Sequence, residues 1–193
     1  MIHEPVMNAM IEMLRTRRSA PAASLRGPGP DEAELETLLT IASRVPDHGK
    51  LAPWRFIVFE GEGRARAGEA IARAWLASNP GADEKRLSVE RARLSLAPLV
   101  VAVVSRAAPH AKIPEWEQEL SAGAACMNLV AAATAIGYAS CWLTEWYAYD
   151  RAALESLGVA AHERLAGFVH IGRNDESRED RVRPALAEIV TRF

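Results

Sequence analysis

The segment L-V-V-A-V-V at residues 99–104 constrains the fold more than any other stretch of this sequence. All six residues are apolar, without the polar alternation that marks a strand with one face in water. Such a run predicts a β-strand that is buried on both faces. The chain is therefore expected to form a sheet with other elements packed on both of its sides.

Further strand and helix patterns surround this segment. Strands are predicted at 55–60, 138–144 and 165–172, and a short fifth strand at the C-terminal A-E-I-V-T-R-F, 187–193. Helical periodicity or capping signals predict helices that include Val6 to Leu14, Asp31 to Ala42, 64–76, 82–95 and Glu115 to Ile136. With no internal repeat or linker, the pattern predicts one α+β domain over residues 1–193, with helices packed on a small central sheet.

Composition and charge exclude several classes of protein. The net charge of −2 over 193 residues predicts no general attraction to nucleic acid or to an anionic membrane. The longest apolar stretch, 120–136, contains Ser121, Asn128 and Thr134 and is shorter than the ~20 residues of a membrane span, so it predicts a buried helix. Two isolated cysteines in apolar surroundings, and an N-terminus without a signal pattern, predict buried thiols and a cytoplasmic protein.

Several familiar motifs are incomplete in this chain. In G-E-G-R-A-R-A-G, 61–68, the third glycine stands at the wrong spacing for a dinucleotide-binding turn. H-E-R-L-A, 162–166, lacks the second histidine of a zinc protease, and Gly49-Lys50 lacks the upstream glycine of a P-loop. No G-x-S-x-G is present. The sequence therefore predicts neither a metal site nor a catalytic nucleophile.

Two arginine-rich segments each allow two interpretations. R-T-R-R-S-A, 15–20, follows the first helix, and R-V-R-P, 181–184, precedes the C-terminal tail. Arginine offers a rigid fork of donors that matches phosphate oxygens, which favours an anion site. Arginines at a helix end also neutralise the helix dipole, and R-V-R-P is equally consistent with a solvated loop.

Two other segments have the character of a ligand pocket. V-P-D-H-G-K-L-A-P-W-R-F-I-V, 45–58, predicts a firmly held loop that leads into a strand, as in the floor of many pockets. In this loop His48 either donates to a ligand or satisfies loop carbonyl groups. In C-W-L-T, 141–144, Trp142 either presents a flat face to a heteroaromatic ring or packs in the core, which is the commoner role of tryptophan.

Taken together and in this order, these stretches resemble the nitroreductase family of FMN-dependent, NAD(P)H-oxidising enzymes. The resemblance covers nearly the whole chain, through R-R-S, R-x-P-D-H…P-W-x-F-x-V, E-G-E-G-R, A-P-L-V-V-x-V-V, P-x-W-E-Q-E-x-S-A-G and G-F-x-x-x-G. It implies a three-layer α+β sandwich with a central, mostly antiparallel sheet of about five strands flanked by helices. It also implies a domain-swapped homodimer with two FMN sites at the subunit interface.

The resemblance further implies which residues bind the cofactors. By this resemblance Arg17, Arg18 and Ser19 bind the FMN phosphate and ribityl chain. Arg181 and Arg183 bind the same phosphate. Arg44 and His48 match positions that contact flavin from the partner subunit, and Trp142, Leu143 and Thr144 match the strand end along its ring. Positions tied to the nicotinamide cofactor correspond to Arg91, Ala132, Ala133, Thr134, Ala135, Ile136 and Gly137.

Three residues depart from the family pattern near the expected flavin ring. Many family members have asparagine at the position of Lys50 and glutamine at that of Ala52, and similar relatives often have arginine at that of Leu143. The chain therefore has one polar contact fewer there, although Lys50 is a candidate for the positive charge near flavin N1.

The implied activity is hydride transfer from NAD(P)H through FMN to a nitroaromatic, quinone, enone or similar small acceptor. It proceeds as a ping-pong cycle in one pocket and requires no catalytic acid or base from the protein. The expected partners are therefore FMN, NAD(P)H, the acceptor and a second copy of the chain. A non-catalytic flavin- or tetrapyrrole-binding module, and an anion-binding or interaction protein without flavin, remain alternatives.

Overall fold

The computed structural model describes residues 4–176 and 178–193. Contacts divide the chain into two compact units, which are described here one at a time. The smaller unit combines the described parts of Met1–Arg18 and Asp175–Phe193, and the larger unit is Ser19–Asn174. The assignment of residues 1–193 to a single domain stays a prediction.

The larger unit is built on a four-stranded sheet. Its strands are β1 (Trp54–Glu60), β2 (Leu99–Ser105), β3 (Ala139–Leu143) and β4 (Arg164–Gly172). They lie in the order β1-β2-β4-β3, and every neighbouring pair is antiparallel. All seven residues of β2 are buried. This confirms the strand buried on both faces that the run at 99–104 predicts.

The described chain does not show the predicted fifth strand. Leu186–Ile189 forms the short helix α7, and no strand is assigned to the residues after it. A strand needs a neighbour that accepts and donates its ladder hydrogen bonds. The described part of the smaller unit, to which this segment belongs, contains no strand that supplies one.

Helices of the larger unit are α2 (Glu32–Ala42), α3 (Gly61–Ser78), α4 (Glu84–Ala92), α5 (Glu115–Ala135) and α6 (Arg151–Ser156). Asp31 and Glu34 form the capping box that starts α2, as their spacing predicts. The glycines of 61–68 lie inside α3, so this segment is not a phosphate-binding turn. Gly137, with φ +85°, follows α5 and confirms the predicted helix stop.

The sheet separates two hydrophobic clusters and is thus the middle of three layers. On one face, Val100 and Phe168 pack with Ile71 of α3 and with α6. On the other face, Val101 and Val169 pack with α2 and α5. Cys126 and Cys141 are both buried and neither forms a disulfide, as predicted. The arrangement confirms the α+β sandwich.

The smaller unit contains helix α1 (Glu4–Thr16) and the terminal segment with α7. Large apolar side chains are exposed in both parts: Met10, Ile11, Leu14, Val182, Leu186, Ile189, Val190 and Phe193. None of the helices described in either unit has an apolar stretch that would reach across a bilayer.

Candidate functional site

The loop between α2 and β1 has an unusual backbone. Three of its residues have positive φ, namely Gly49 (74°), Lys50 (57°) and Ala52 (46°). Glycine suits position 49 because side chains rarely adopt this positive φ, and a Cβ atom there would also displace Cδ1 of Ile113. Residues other than glycine adopt this conformation at a cost of ~1–3 kcal/mol each, usually where a functional geometry demands it. Lys50 and Ala52 are therefore held in place by their surroundings.

Asp47 supplies part of that support within the loop. Its carboxylate accepts hydrogen bonds from the backbone N–H of Leu51 at 3.0 Å and of Ala52 at 2.9 Å. Aspartate is suited to this role because its short side chain reaches backbone donors a few residues ahead. The two bonds close the turn around Lys50 and leave its side chain exposed.

Polar side chains of α5 hold the same loop from outside. The Ser121 hydroxyl donates to the carbonyl oxygen of Pro46 at 2.7 Å and accepts from Nε1 of Trp54 at 3.1 Å. The Asn128 amide donates to the carbonyl oxygen of Arg44 at 2.9 Å. Both ends of the loop are thus fastened to one helix.

His48 is bound by the first turn of α5. Its Nδ1 lies 2.7 Å from Oε2 of Glu117, and the His48 side chain is 62% exposed. The carboxylate therefore satisfies Nδ1, in place of the loop carbonyl groups that the sequence left as an alternative. Nε2 has no hydrogen-bond partner among the described residues, so it is the atom of His48 that remains for a ligand.

Trp142 lies partly on the surface, with 41% of the residue exposed. Its Nε1 donates to the carbonyl oxygen of Ala166 at 3.0 Å. Ala166 is the extra residue where the pairing of β2 with β4 shifts between Val103 and Val104. Gly167 makes room for the indole, because a Cβ atom there would clash with Nε1. The bulge and the glycine thus seat the indole on β4.

The loop and the end of β3 lie at the same end of the sheet. β1 begins at Trp54 opposite Ser105, which in turn pairs with Arg164 at the start of β4. β3 ends at Leu143, opposite Phe168 of β4. The structure therefore brings Arg44 and His48 to the same region of the fold as Trp142 and the exposed Thr144, while Leu143 is half-buried. This region is the candidate site.

The residues predicted to bind the FMN phosphate are divided between the two units. Arg17, Arg18, Arg181 and Arg183 belong to the smaller unit, and Ser19 begins the larger one. Arg18 Nη1 lies 4.0 Å from the carboxylate of Asp180, while its Nε has no partner among the described residues.

Within one chain, the predicted nicotinamide positions do not lie at the candidate site. Arg91 is in the last turn of α4 and forms ion pairs with Glu69 and Glu84. Residues 132–137 lie at the C-terminal end of α5, roughly 20 Å along the helix from Ser121. Ala132 and Ala133 are buried in the core, so their side chains are not available to a ligand. These positions stay a prediction.

Sequence reasoning did not identify four residues that shape the site: Glu117, Ser121, Asn128 and Gly167. The sequence contains a signal for two of them, since Ser121 and Asn128 interrupt the apolar stretch 120–136 at a spacing of seven residues. Gly167 had no local signal, because its role depends on a side chain of the neighbouring strand. The described residues include no group of three or more metal-ligating side chains placed to hold an ion.

Comparison of sequences identifies related proteins. The sequence model of the Nitroreductase family matches residues 14–173. An Escherichia coli (strain K12) protein named "Putative NAD(P)H nitroreductase YdjA" is 35% identical over 162 residues, which cover 84% of this chain and 86% of that protein. A Haemophilus influenzae protein with the same description is 35% identical over 170 residues, 88% of this chain and 90% of its own length.

Comparison of structures gives the same fold. A nitroreductase-like family protein from Bacillus cereus superposes with a TM-score of 0.83 at 22% identity and covers 95% of both chains. A nitroreductase from Bacteroides fragilis with bound FMN superposes with a TM-score of 0.67 at 23% identity, covering 95% of this chain and 98% of that one. The FMN- and NADPH-dependent nitroreductase NfnB from sphigopyxis sp. strain HMH superposes with a TM-score of 0.71 at 22% identity, covering 95% of this chain and 98% of that one.

Proposed function

This chain belongs to the nitroreductase family, and we propose that it is an oxidoreductase that uses FMN to carry a hydride from NAD(P)H to a small acceptor. The observation that carries the proposal is the family match over residues 14–173, which includes the positive-φ loop and the end of β3. The acceptor class we propose is a nitroaromatic, a quinone, an enone or a similar small molecule.

The residues of the candidate site fit a flavin. The N–H group of Trp142 is already bound to Ala166, so the exposed part of the indole is an apolar surface suited to a flat heteroaromatic ring. Lys50 offers an ammonium group with no carboxylate within 4.0 Å among the described residues. In the smaller unit, the guanidinium groups of Arg17, Arg18 and Arg183 suit a phosphate.

When bound, FMN would supply the redox chemistry, accepting a hydride from NAD(P)H and passing it to the acceptor. The residues of this chain would bind these molecules and orient them. The loop that carries Lys50 is already ordered by Asp47 and Ser121, so little conformational freedom is lost when a ligand binds. We propose a ping-pong cycle in which the nicotinamide leaves before the acceptor enters the same pocket.

We also propose that the protein is a homodimer. Helix α5 carries an exposed apolar stripe made of Trp116, Leu120 and Met127, at spacings of four and seven residues. Large side chains aligned in this way on one helix face indicate an interaction surface. We also propose a cytoplasmic location, with which two buried cysteines that form no disulfide are consistent.

The visible absorption spectrum of the purified protein tests the proposed activity. The protein is saturated with FMN, dialysed and then treated anaerobically with NADH or NADPH. We expect about one flavin per chain to be retained and to be bleached by the nicotinamide. Retained flavin that neither nicotinamide bleaches would indicate a non-catalytic flavin-binding module, and a colourless protein would contradict the flavin site itself.

A further inference from the structure

A second cleft lies at the opposite end of the sheet from the candidate site. It is formed by the segment before β2, the first turn of α3 and residues 23–27. β2 begins there at Leu99, which pairs with Glu60 at the end of β1 and with Ile171 near the end of β4. The cleft has a volume of about 470 Å³, which is within the usual size of a small-molecule pocket.

Two arginines line this cleft, and both guanidinium groups are held by backbone carbonyl groups. Arg26 Nη1 donates to the carbonyl oxygen of Ala23 at 2.6 Å, and Arg64 Nη1 donates to that of Ala97 at 2.6 Å. Nε of Arg64 is buried and has no hydrogen-bond partner among the described residues. Each side chain is therefore oriented while part of its donor capacity stays unused.

The positive charge of the cleft is not neutralised by the protein. None of the described residues that line it is acidic. No carboxylate in the described part of the chain forms an ion pair with Arg26 or Arg64, whereas Arg55, Arg86 and Arg93 all have such partners. Two guanidinium groups that share a concave surface without a counter-charge favour the binding of an anion there.

The backbone around the cleft is rigid. Arg26 and Arg173 exchange two backbone hydrogen bonds of 2.8 Å each. Gly172 lets the chain approach closely at this point, because a Cβ atom there would lie 2.8 Å from Cδ of Pro98 and 2.9 Å from the carbonyl oxygen of Arg26. The walls that carry Arg26 and the segment before β2 are thus fixed before any ligand arrives, which reduces the cost of binding.

We propose that this cleft binds a small phosphate-bearing ligand. Arg26 and Arg64 supply the guanidinium donors, and the hydroxyl of Ser95, which also lines the cleft, supplies a third. Phosphate is the class of anion that matches the planar fork of arginine with several oxygens at once. The cleft lies at the far end of the sheet from the loop at Lys50, so we expect its ligand not to compete with a flavin ring bound at that loop.

Calorimetric titration of the full chain tests this site. The probes are inorganic phosphate and glycerol 3-phosphate, each titrated with and without saturating FMN. We expect binding in both cases, and a loss of affinity of at least tenfold in Arg26→Gln and in Arg64→Gln. The control is Arg66→Gln, which removes the same charge from the exposed face of α3, where Arg66 pairs with Glu62 at 3.7 Å. Its affinity is expected to change less than twofold.

Every outcome of the titration supports or overturns the site. Tighter binding of the ester than of inorganic phosphate identifies a phosphorylated metabolite, and equal binding identifies free phosphate. No binding at millimolar probe, equal weakening in Arg66→Gln, or displacement of the probe by FMN overturns the proposal. Arg26 is exposed, so its variant decides the question if circular dichroism shows that Arg64→Gln is unfolded.

Discussion

Glu163, directly before β4, is a buried carboxylate bound to Arg55 of β1. Nε of Arg55 donates to Oε1 at 2.8 Å, and the backbone N–H of Ala160 donates to Oε2 at 2.8 Å. The hydrogen bond from Arg55 is the main reason that the pKa of Glu163 is lowered from 4.5 to about 2. The pair fastens the beginning of β1, the strand that follows the positive-φ loop.

The pair makes a pH-dependent contribution to the free energy of unfolding. Because the pKa is lower in the folded protein, the contribution is complete above the unfolded value of 4.5 and is lost as the pH falls through about 2. A pKa difference of this size corresponds to up to about 3 kcal/mol. Urea denaturation of the native protein between pH 6 and pH 2 is expected to show this loss.

Glu163→Gln is expected to flatten that pH dependence and to cost about 1–3 kcal/mol at pH 7, since Arg55 loses its charged partner. Glu119→Gln is the control. Glu119 pairs with Arg164, whose side chain is largely exposed, at 3.2 Å, and such surface pairs contribute about 1 kcal/mol or less. An unchanged pH profile in Glu163→Gln would contradict the role given to the pair.

Lys50 is a second single residue that can be tested, here for its effect on the flavin midpoint potential. Its ammonium group is exposed on a backbone with φ 57°. Near flavin N1, a positive charge stabilises the reduced, anionic cofactor by roughly 1 kcal/mol or more. Lys50→Ala is therefore expected to lower the flavin midpoint potential, measured by anaerobic dye titration. Lys85→Ala on α4 is the control, and equal potentials in all three proteins would remove Lys50 from the mechanism.

At the scale of elements, α5 organises the candidate site. Glu117, Ser121 and Asn128 follow one another at steps of four and seven residues, which place them on one face of a helix. That face holds His48, Pro46 and the end of α2. Gly123, between Ser121 and Asn128, lies close to the Trp142 ring. One helix therefore holds the loop and also lies against the other half of the candidate site.

Ser121→Ala is expected to loosen the positive-φ loop. The substitution leaves the carbonyl of Pro46 and the indole N–H of Trp54 without a partner, which costs about 1–3 kcal/mol. We expect a smaller free energy of unfolding in urea and faster amide hydrogen exchange at 47–52. Ser88→Ala, at an exposed position of α4, should stay within about 0.5 kcal/mol. Exchange rates equal to those of the native protein would show that α5 does not control the loop.

At the scale of the whole molecule, the apolar stripe of α5 is a feature that a single chain leaves without a role. Trp116 and Leu120 are both more than half exposed, and Met127 continues the stripe. Exposed apolar residues scattered singly are normal in monomers, whereas aligned ones indicate contact with a partner. The proposed homodimer assigns this stripe to the second copy.

Leu120→Glu is expected to dissociate that dimer, because it places a charge in the middle of the stripe. Light scattering coupled to gel filtration measures the molar mass of each protein at micromolar concentration. Leu76→Glu on α3 is the matched control, since Leu76 is also an exposed apolar residue of a helix. A native protein that elutes with the mass of one chain would refute the dimer.

Local patterns of the sequence predicted the elements of this fold well. The run at 99–104 indicated a doubly buried strand, Asp31 and Glu34 indicated the start of α2, and Gly137 indicated the end of α5. These signals are reliable because hydrophobic periodicity, capping and positive φ involve residues that are close together in the chain. The sequence by itself thus determined the layers, the four observed strands and the family.

The tertiary structure decided which of these segments meet. Gly167 has a role only because the Trp142 indole crosses β4. Helix α7 takes up part of the segment predicted as a fifth strand, and the described part of its unit contains no strand to pair with. Likewise, Arg26 and Arg64 are 38 positions apart in sequence and share a cleft only after the sheet has formed. Strand order and long-range side-chain contacts depend on the packing of the whole chain, so no local pattern encodes them.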